Sequence, residues 1–161
     1  MTAFAAPRPI RPSDVTAGFS CGDPELDAWL RERALANDAR GASRTFVSTA
    51  ARTGELAGYY ALAAGSVEPG DMPGRVPVVV LARLAVDANY QGIGVGSSLV
   101  RDAVRRAVAA GSQIGVRAVL IHARNDRAAA LCERLGFQFA MGGRFTCVAT
   151  LPDLRRTLGL D

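Results

Sequence analysis

The stretch NYQGIGVGSSLVRDAV, residues 89–104, decides the fold. It places Gly92, Gly94 and Gly96 at spacing two and then passes into apolar residues at helical spacing. Glycines permit positive φ and a close backbone approach. A helix starting directly after them turns unpaired N–H groups and the positive end of its dipole toward an anion. A phosphate or pyrophosphate is the natural ligand, and a purely structural strand-to-helix turn is the alternative. Two familiar nucleotide loops do not fit. GxGxG differs from the dinucleotide GxGxxG, and no acidic residue ends a second strand about 20 residues on. A Walker loop needs a lysine after its glycines, and the chain contains none.

Working outward, Leu99, Val100, Ala103, Val104, Ala107 and Val108 form a stripe of period 3.6. This predicts a helix to about Ile114, weakened at Gly111 and stopped at Gly115. Upstream, VPVVVLARLAVD (76–87) is a near-continuous apolar run, as in a strand covered on both faces. Further upstream, RTFVSTA and ELAGYYALAAGSVEP read as strands joined by ARTG. GDPELDAWLRERALANDARG (22–41) reads as one helix. Asp23 caps it, Pro24 suits its first turn, Leu26, Trp29, Leu30 and Ala34 share a face, and Gly41 stops it. EPGDMPGRVP is loop. Downstream come a strand in VRAVLIHA, a helix in DRAAALCERL ended by Gly136, and a hairpin of FQFAMG and RFTCVATL around Gly142–Gly143. This order predicts an α/β or α+β layer fold with one central sheet.

The 161 residues suit one compact domain, and hydrophobic residues at 49% with charged ones at 21% read as globular. No apolar run reaches the roughly 20 residues of a membrane span. MTAFAAPRPIRP lacks a basic start followed by an apolar core, so no signal peptide is expected and a cytoplasmic location follows. Cys21, Cys132 and Cys147 are scattered without a CxxC, which argues against a disulfide framework and against a metal site. Net charge is +4, and all 19 basic residues are arginine. GC-rich codon usage explains such a bias; so does phosphate binding, because guanidinium forks match phosphate oxygens.

Gln91-x-x-Gly94-x-Gly96 after LAVD resembles the pyrophosphate loop of the GNAT N-acetyltransferases, which holds acetyl-CoA. NDRAAALCERLGF (125–137) is similar to that family's Asn-x-x-Ala-x-x-x-aromatic-x-x-x-Gly-Phe signature, with Asn125, Ala128, Gly136 and Phe137 in place. FSCGDPELDAWLRERALANDARGASRTFV and VPVVVLARLAVD resemble a bacterial toxin subgroup of GNATs, TacT-like, over nearly the whole chain. The resemblance implies a single domain over 1–161 with the GNAT fold, a mixed twisted sheet of about six to seven strands flanked by helices. It implies acetylation of the α-amine of aminoacyl-tRNA, which blocks translation. It also implies a ribbon-helix-helix antitoxin as partner and a homodimer, which would enlarge the basic face.

In that frame Leu84, Ala85 and Val86 line the pantetheine arm, with the Val86 backbone at the reacting group. Gln91, Gly92, Ile93, Gly94, Val95 and Gly96 hold the pyrophosphate with Ser97, and Asn125 meets the pantetheine or its bound water. An α-amine on an ester has a lower pKa than lysine, so no strong general base is needed. The signature's tyrosine, the acid for the leaving thiolate, is replaced by Cys132. Cys132 is then a substitute acid, a position where the acid is dispensable, a mark of reduced activity or a buried core thiol. Arg31, Arg33, Arg40, Arg44 and Arg83 are the expected tRNA contacts, with Arg144 a further candidate. His122 is expected to be packed or hydrogen-bonded rather than a base. Tyr90 is expected beside the loop, Trp29 as a core or cleft anchor, and one of Tyr59 and Tyr60 inward with the other outward. The rival functions are acetylation of a small amine or a protein N-terminus, and non-catalytic acyl-CoA binding beside a DNA-binding antitoxin.

Overall fold

The computed structural model describes residues 3–67, 75–139 and 146–159. Most of the loop expected at 68–77, the turn at Gly142–Gly143 and Arg144 lie outside the described residues. The strands are β1 (Arg8–Pro9), β2 (Arg44–Thr49), β3 (Leu56–Val67), β4 (Val76–Val86), β5 (Ala118–His122), β6 (Gln138–Phe139) and β7 (Thr146–Thr150). The helices are α1 (Pro24–Glu32), α2 (Ala34–Arg40), α3 (Val95–Gly111), α4 (Asp126–Arg134) and α5 (Leu151–Leu158). The sheet order is β1-β2-β3-β4-β5-β7-β6. It is mixed: β4 and β5 run parallel, while β1/β2, β2/β3, β5/β7 and β6/β7 are antiparallel. This is the expected layered α/β architecture.

The chain divides into two compact units. The first comprises Met1–Ala63 with Arg83–Asp102. Here Asp23 caps α1 by accepting from the Glu25 N–H, with Pro24 in the first turn. The single helix expected over 22–41 is two helices. Arg33 leaves helical dihedrals at φ −125°, although its N–H still reaches the Trp29 carbonyl at 2.8 Å. Leu30 and Ala34, on either side of the break, share one core with Phe19, Leu26, Trp29, Val47, Tyr59 and Ala85. Gly41 closes α2 in the left-handed region at φ +73°.

Tyr59 and Tyr60 do point to opposite faces of β3, yet neither is outward. The Tyr59 hydroxyl donates to the Leu26 carbonyl in α1 at 2.7 Å. The Tyr60 hydroxyl donates to Asp102 in α3, and its ring stacks on Phe46. Alternation was right, but helices cover both faces of this part of the sheet, so both rings are fully buried.

The second unit comprises Ala64–Ala82 with Ala103–Asp161. Val78–Leu81 pair in parallel with Ala118–Ile121, and β7 returns antiparallel along β5. α3 ends at Gly111, three residues before the expected Ile114. Glycine is a poor helix former, and a Cβ there would lie 2.2 Å from the Leu151 side chain. Ser112 and Ile114 still donate back to Val108 and Ala110, so the turn is bonded without helical geometry. α5 was not anticipated, although its caps are written in the sequence. The Thr150 hydroxyl accepts from the Asp153 N–H, Pro152 sits in the first turn, and Gly159 stops it at φ +68°.

Candidate active site

The site grows from the end of β4. Ala85 turns its side chain into the α1 core and is buried, whereas Leu84 and Val86 are half-buried on the opposite face. A short 3-10 turn, Ala88–Tyr90, carries the chain into the glycine loop. Gly92 and Gly94 adopt φ +81° and +94°. Side chains other than glycine rarely tolerate this region. A Cβ on either glycine would meet nothing within 4 Å, so the loop surface is open. Gly96 and Ser97 lie in the first turn of α3. The Gly94 carbonyl accepts from Ser98 at 3.1 Å and so begins the helix ladder. The N–H groups of the first turn therefore point out of the helix end, as an anion requires.

Two side chains shape this loop, and only one was anticipated. Gln91 was expected to hold pyrophosphate. Its side-chain amide instead donates to the carbonyls of Cys21 and Val86, each at 2.9 Å. Asp87 was missed. It is buried, and its carboxylate accepts from the N–H of Ser20 at 3.0 Å and of Asn89 at 2.9 Å. Its own N–H donates to Ala57, and the Ala88 N–H donates to Ser20. The segment leading into α1 is thus tied to the start of the loop from both sides. The signal was present: an Asp whose carboxylate bonds the N–H two residues on is a familiar turn former. Replacing Asp87 by Asn puts an amide donor against at least one of those N–H groups. A buried group left unsatisfied costs about 1–3 kcal/mol. Asp87→Asn is therefore expected to lower the unfolding free energy by about 2 kcal/mol, measured by urea denaturation.

Tyr90 packs beside the loop as expected, its hydroxyl on Glu55 at 2.9 Å and its ring edge-on to Phe4. Trp29 is the expected anchor: it is buried and stacks parallel to Tyr59 at 6.0 Å. The Arg83 guanidinium lies over the indole, 4.9 Å from its centroid. Arg31 and Arg33 are exposed at the end of α1. Arg40 bonds Asn37, and Arg44 pairs with Asp38 at 2.8 Å, which partly neutralises it.

Asn125 and Cys132 belong to the second unit. Asn125 caps α4, its side-chain oxygen accepting from the Ala128 N–H at 2.9 Å. The Asn-x-x-Ala spacing is thereby a helix start in its own right. Cys132 is buried in α4 beside Cys147 of β7. Burial, reinforced by Cys147, pushes its thiol up to about 12. His122 is exposed, its Nδ1 3.3 Å from the Thr146 hydroxyl. Among the described residues no group of histidine, cysteine and acidic side chains could hold a metal ion. No described helix is long and apolar enough to cross a membrane.

The sequence profile of the acetyltransferase (GNAT) family matches residues 13–137. The chain is 44% identical over 167 aligned positions to a tRNA-acetylating toxin of Mycobacterium tuberculosis H37Rv, covering 99% of each. The KacTA–DNA complex contains a chain of the same fold, at TM-score 0.82, 27% identity and complete coverage of both. A tyrosine-to-phenylalanine mutant of the AtaT toxin, bound to the C-terminus of the antitoxin AtaR and acetyl-CoA, shares the fold at TM-score 0.83. There the identity is 20% and the coverage 98% of each chain.

Proposed function

The chain belongs to the acetyltransferase (GNAT) family, and from that premise we propose that it transfers acetyl from acetyl-CoA to the α-amine of aminoacyl-tRNA, as a toxin blocking translation. One observation carries the reading. β4 leads through a short 3-10 turn into a loop with two left-handed glycines at the start of α3, in a chain 44% identical to a tRNA-acetylating toxin over 99% of its length. All 161 residues act as a single acetyltransferase domain in this reading.

The residues present fit acetyl-CoA. The open loop Gly92–Val95 and the first turn through Ser97 offer N–H groups to a pyrophosphate, with Gln91 contributing backbone. Leu84 and Val86 give half-buried apolar lining to a pantetheine arm, and Asn125 marks the start of α4. When bound, acetyl-CoA supplies an activated acetyl thioester. The amine nitrogen forms the new bond to the acetyl carbon, the carbon–sulfur bond breaks, the amine loses a proton and the thiolate gains one. The Val86 backbone at the strand end supplies a hydrogen bond to the oxygen on which charge develops.

Cys132 does not supply the thiolate's proton. Burial, reinforced by Cys147, pushes its thiol above the ordinary value, which makes it a poorer proton donor. Solvent supplies the proton instead. Cys132→Ala is accordingly expected to retain kcat within about twofold and to leave the pH–rate profile in place. A tenfold fall, or loss of an alkaline limb, would restore Cys132 as the acid.

Charged tRNA as acceptor places the chain in the cytoplasm. Arg31, Arg33, Arg40, Arg44 and Arg83 carry the phosphate contacts, with Arg44 the weakest because of Asp38. A DNA-binding antitoxin of the ribbon-helix-helix kind is the partner, and the chain acts as a homodimer. The deciding experiment incubates the chain with labelled acetyl-CoA and bulk charged tRNA. Label recovered as N-acetyl amino acid after mild alkaline release supports the reading. Bound acetyl-CoA with no label on tRNA overturns it and favours a small amine.

A further inference from the structure

We propose that Trp29 is a positioning residue that sets the Arg83 guanidinium to take a phosphate of the incoming tRNA beside Leu84–Val86. The inference rests on the tRNA reading above and says how one contact of that site is made.

The stack has three layers within one unit. Tyr59 is the floor, fully buried, pinned through its hydroxyl to the Leu26 carbonyl at 2.7 Å and met edge-on by Phe19 at 5.6 Å. The Trp29 indole lies on it, 6.0 Å away and within 9° of parallel. The Arg83 guanidinium forms the top, 4.9 Å from the indole centroid. Arginine is a long side chain with many rotamers, and a cation over an indole face is among its best-attested holds. The indole holds the guanidinium carbon over its face, and a guanidinium fork matches phosphate oxygens.

Arg83 immediately precedes Leu84, and Ala85 on the same side of β4 packs into the Trp29–Tyr59 core. Arg83 is therefore one residue from the strand segment assigned to the acetyl donor, on the Ala85 side of β4. A lysine at position 83 would keep the charge and lose both the stack and the fork. α1 is further held to the same strand end, because the Cys21 carbonyl accepts from Gln91 and the Cys21 N–H donates to Asp27 in α1.

The test exploits salt dependence. Each phosphate contact on a single strand steepens the slope of log affinity against log salt by about 0.7. Affinity of the full chain for bulk charged tRNA would be measured across a potassium chloride series. Arg83→Ala is expected to weaken binding about tenfold and to flatten the slope by about 0.7. Trp29→Leu removes no charge, yet is expected to flatten the slope equally, and the double variant to be no worse than Arg83→Ala. Trp29→Phe, which keeps a smaller π face, is expected to fall between and serves if Trp29→Leu does not fold. Acetyl-CoA affinity is the control. Weaker binding by a folded Trp29 variant with an undiminished slope would reduce Trp29 to packing and overturn the proposal. So would an unchanged slope in Arg83→Ala. Failure of the wild-type chain to bind charged tRNA would instead sink the functional reading itself.

Discussion

Gly94→Val is expected to weaken acetyl-CoA binding about 100-fold while the fold survives. Gly94 holds φ +94°, and a β-branched residue in that region is a genuine outlier. Left-handed backbone costs an ordinary residue roughly 1–2 kcal/mol. The loop would relieve this by turning its N–H groups away from the direction that the first turn of α3 shares. A hydrogen bond to a charged group contributes about 1.5–3 kcal/mol, so losing one or two accounts for a 100-fold change, about 2.7 kcal/mol. Apart from Gly94 and its two chain neighbours, no atom lies within 4 Å of an added Cβ, so the new side chain points into open space. The variant should therefore keep a melting temperature within a few degrees of wild type. Titration calorimetry with acetyl-CoA, alongside thermal denaturation, checks both halves. Unchanged affinity would mean that the loop does not hold the pyrophosphate.

Gly58→Ala is expected to have the opposite balance, with a large loss of stability and a secondary loss of binding. Gly58 sits on β3, on the face that α3 covers. A Cβ there would lie 2.8 Å from Leu99 Cδ1, 3.0 Å from the Ala85 carbonyl oxygen and 3.3 Å from Val95 Cγ1. Leu99 can rotate, although it is fully buried. The carbonyl is backbone of the strand that leads into the site and cannot. Overpacking of this kind costs about 1–3 kcal/mol, and at this chain length about 2 kcal/mol lowers the melting temperature by roughly 4–8 °C. Because the contacts are with Val95 at the head of α3 and with Ala85 in β4, relief of the clash moves the helix start relative to the strand end. Acetyl-CoA affinity should fall severalfold with it. A melting temperature within 1 °C of wild type would show that the α3 contact yields more easily than the geometry indicates.

These two glycines separate what could be read early from what could not. Gly94 was legible because its meaning is local: glycines between an apolar run and an amphipathic stripe imply a loop of unusual φ at a helix start. Gly58 was invisible, since its neighbours at Ala85, Val95 and Leu99 arrive from far along the chain. The same division holds at the site. Asn125 stood out by its spacing to Ala128, and the structure adds that this spacing is a helix cap. Asp87 carries a local turn signal in its bond to Asn89, but its role in the site depends on Ser20, 67 residues away. Gln91 was noticed for the motif, but its side chain serves the fold, donating to Cys21 from 70 residues off.

The sequence by itself determined the strand–loop–helix unit, the layered α/β architecture, the cap of α1 and the apolar faces of α1 and α3. Each of these depends on residues within about one or two turns of each other, where periodicity and dihedral preference act directly. Only the tertiary structure decided that both Tyr59 and Tyr60 are buried, that Gln91 and Asp87 lock the entry of α1 to the loop, and that Arg83 rests on Trp29. It also decided that Cys132 is buried in α4 beside Cys147. Those outcomes depend on desolvation and on contacts between distant segments. Neither is encoded in local spacing, and both arise only once helices cover the sheet.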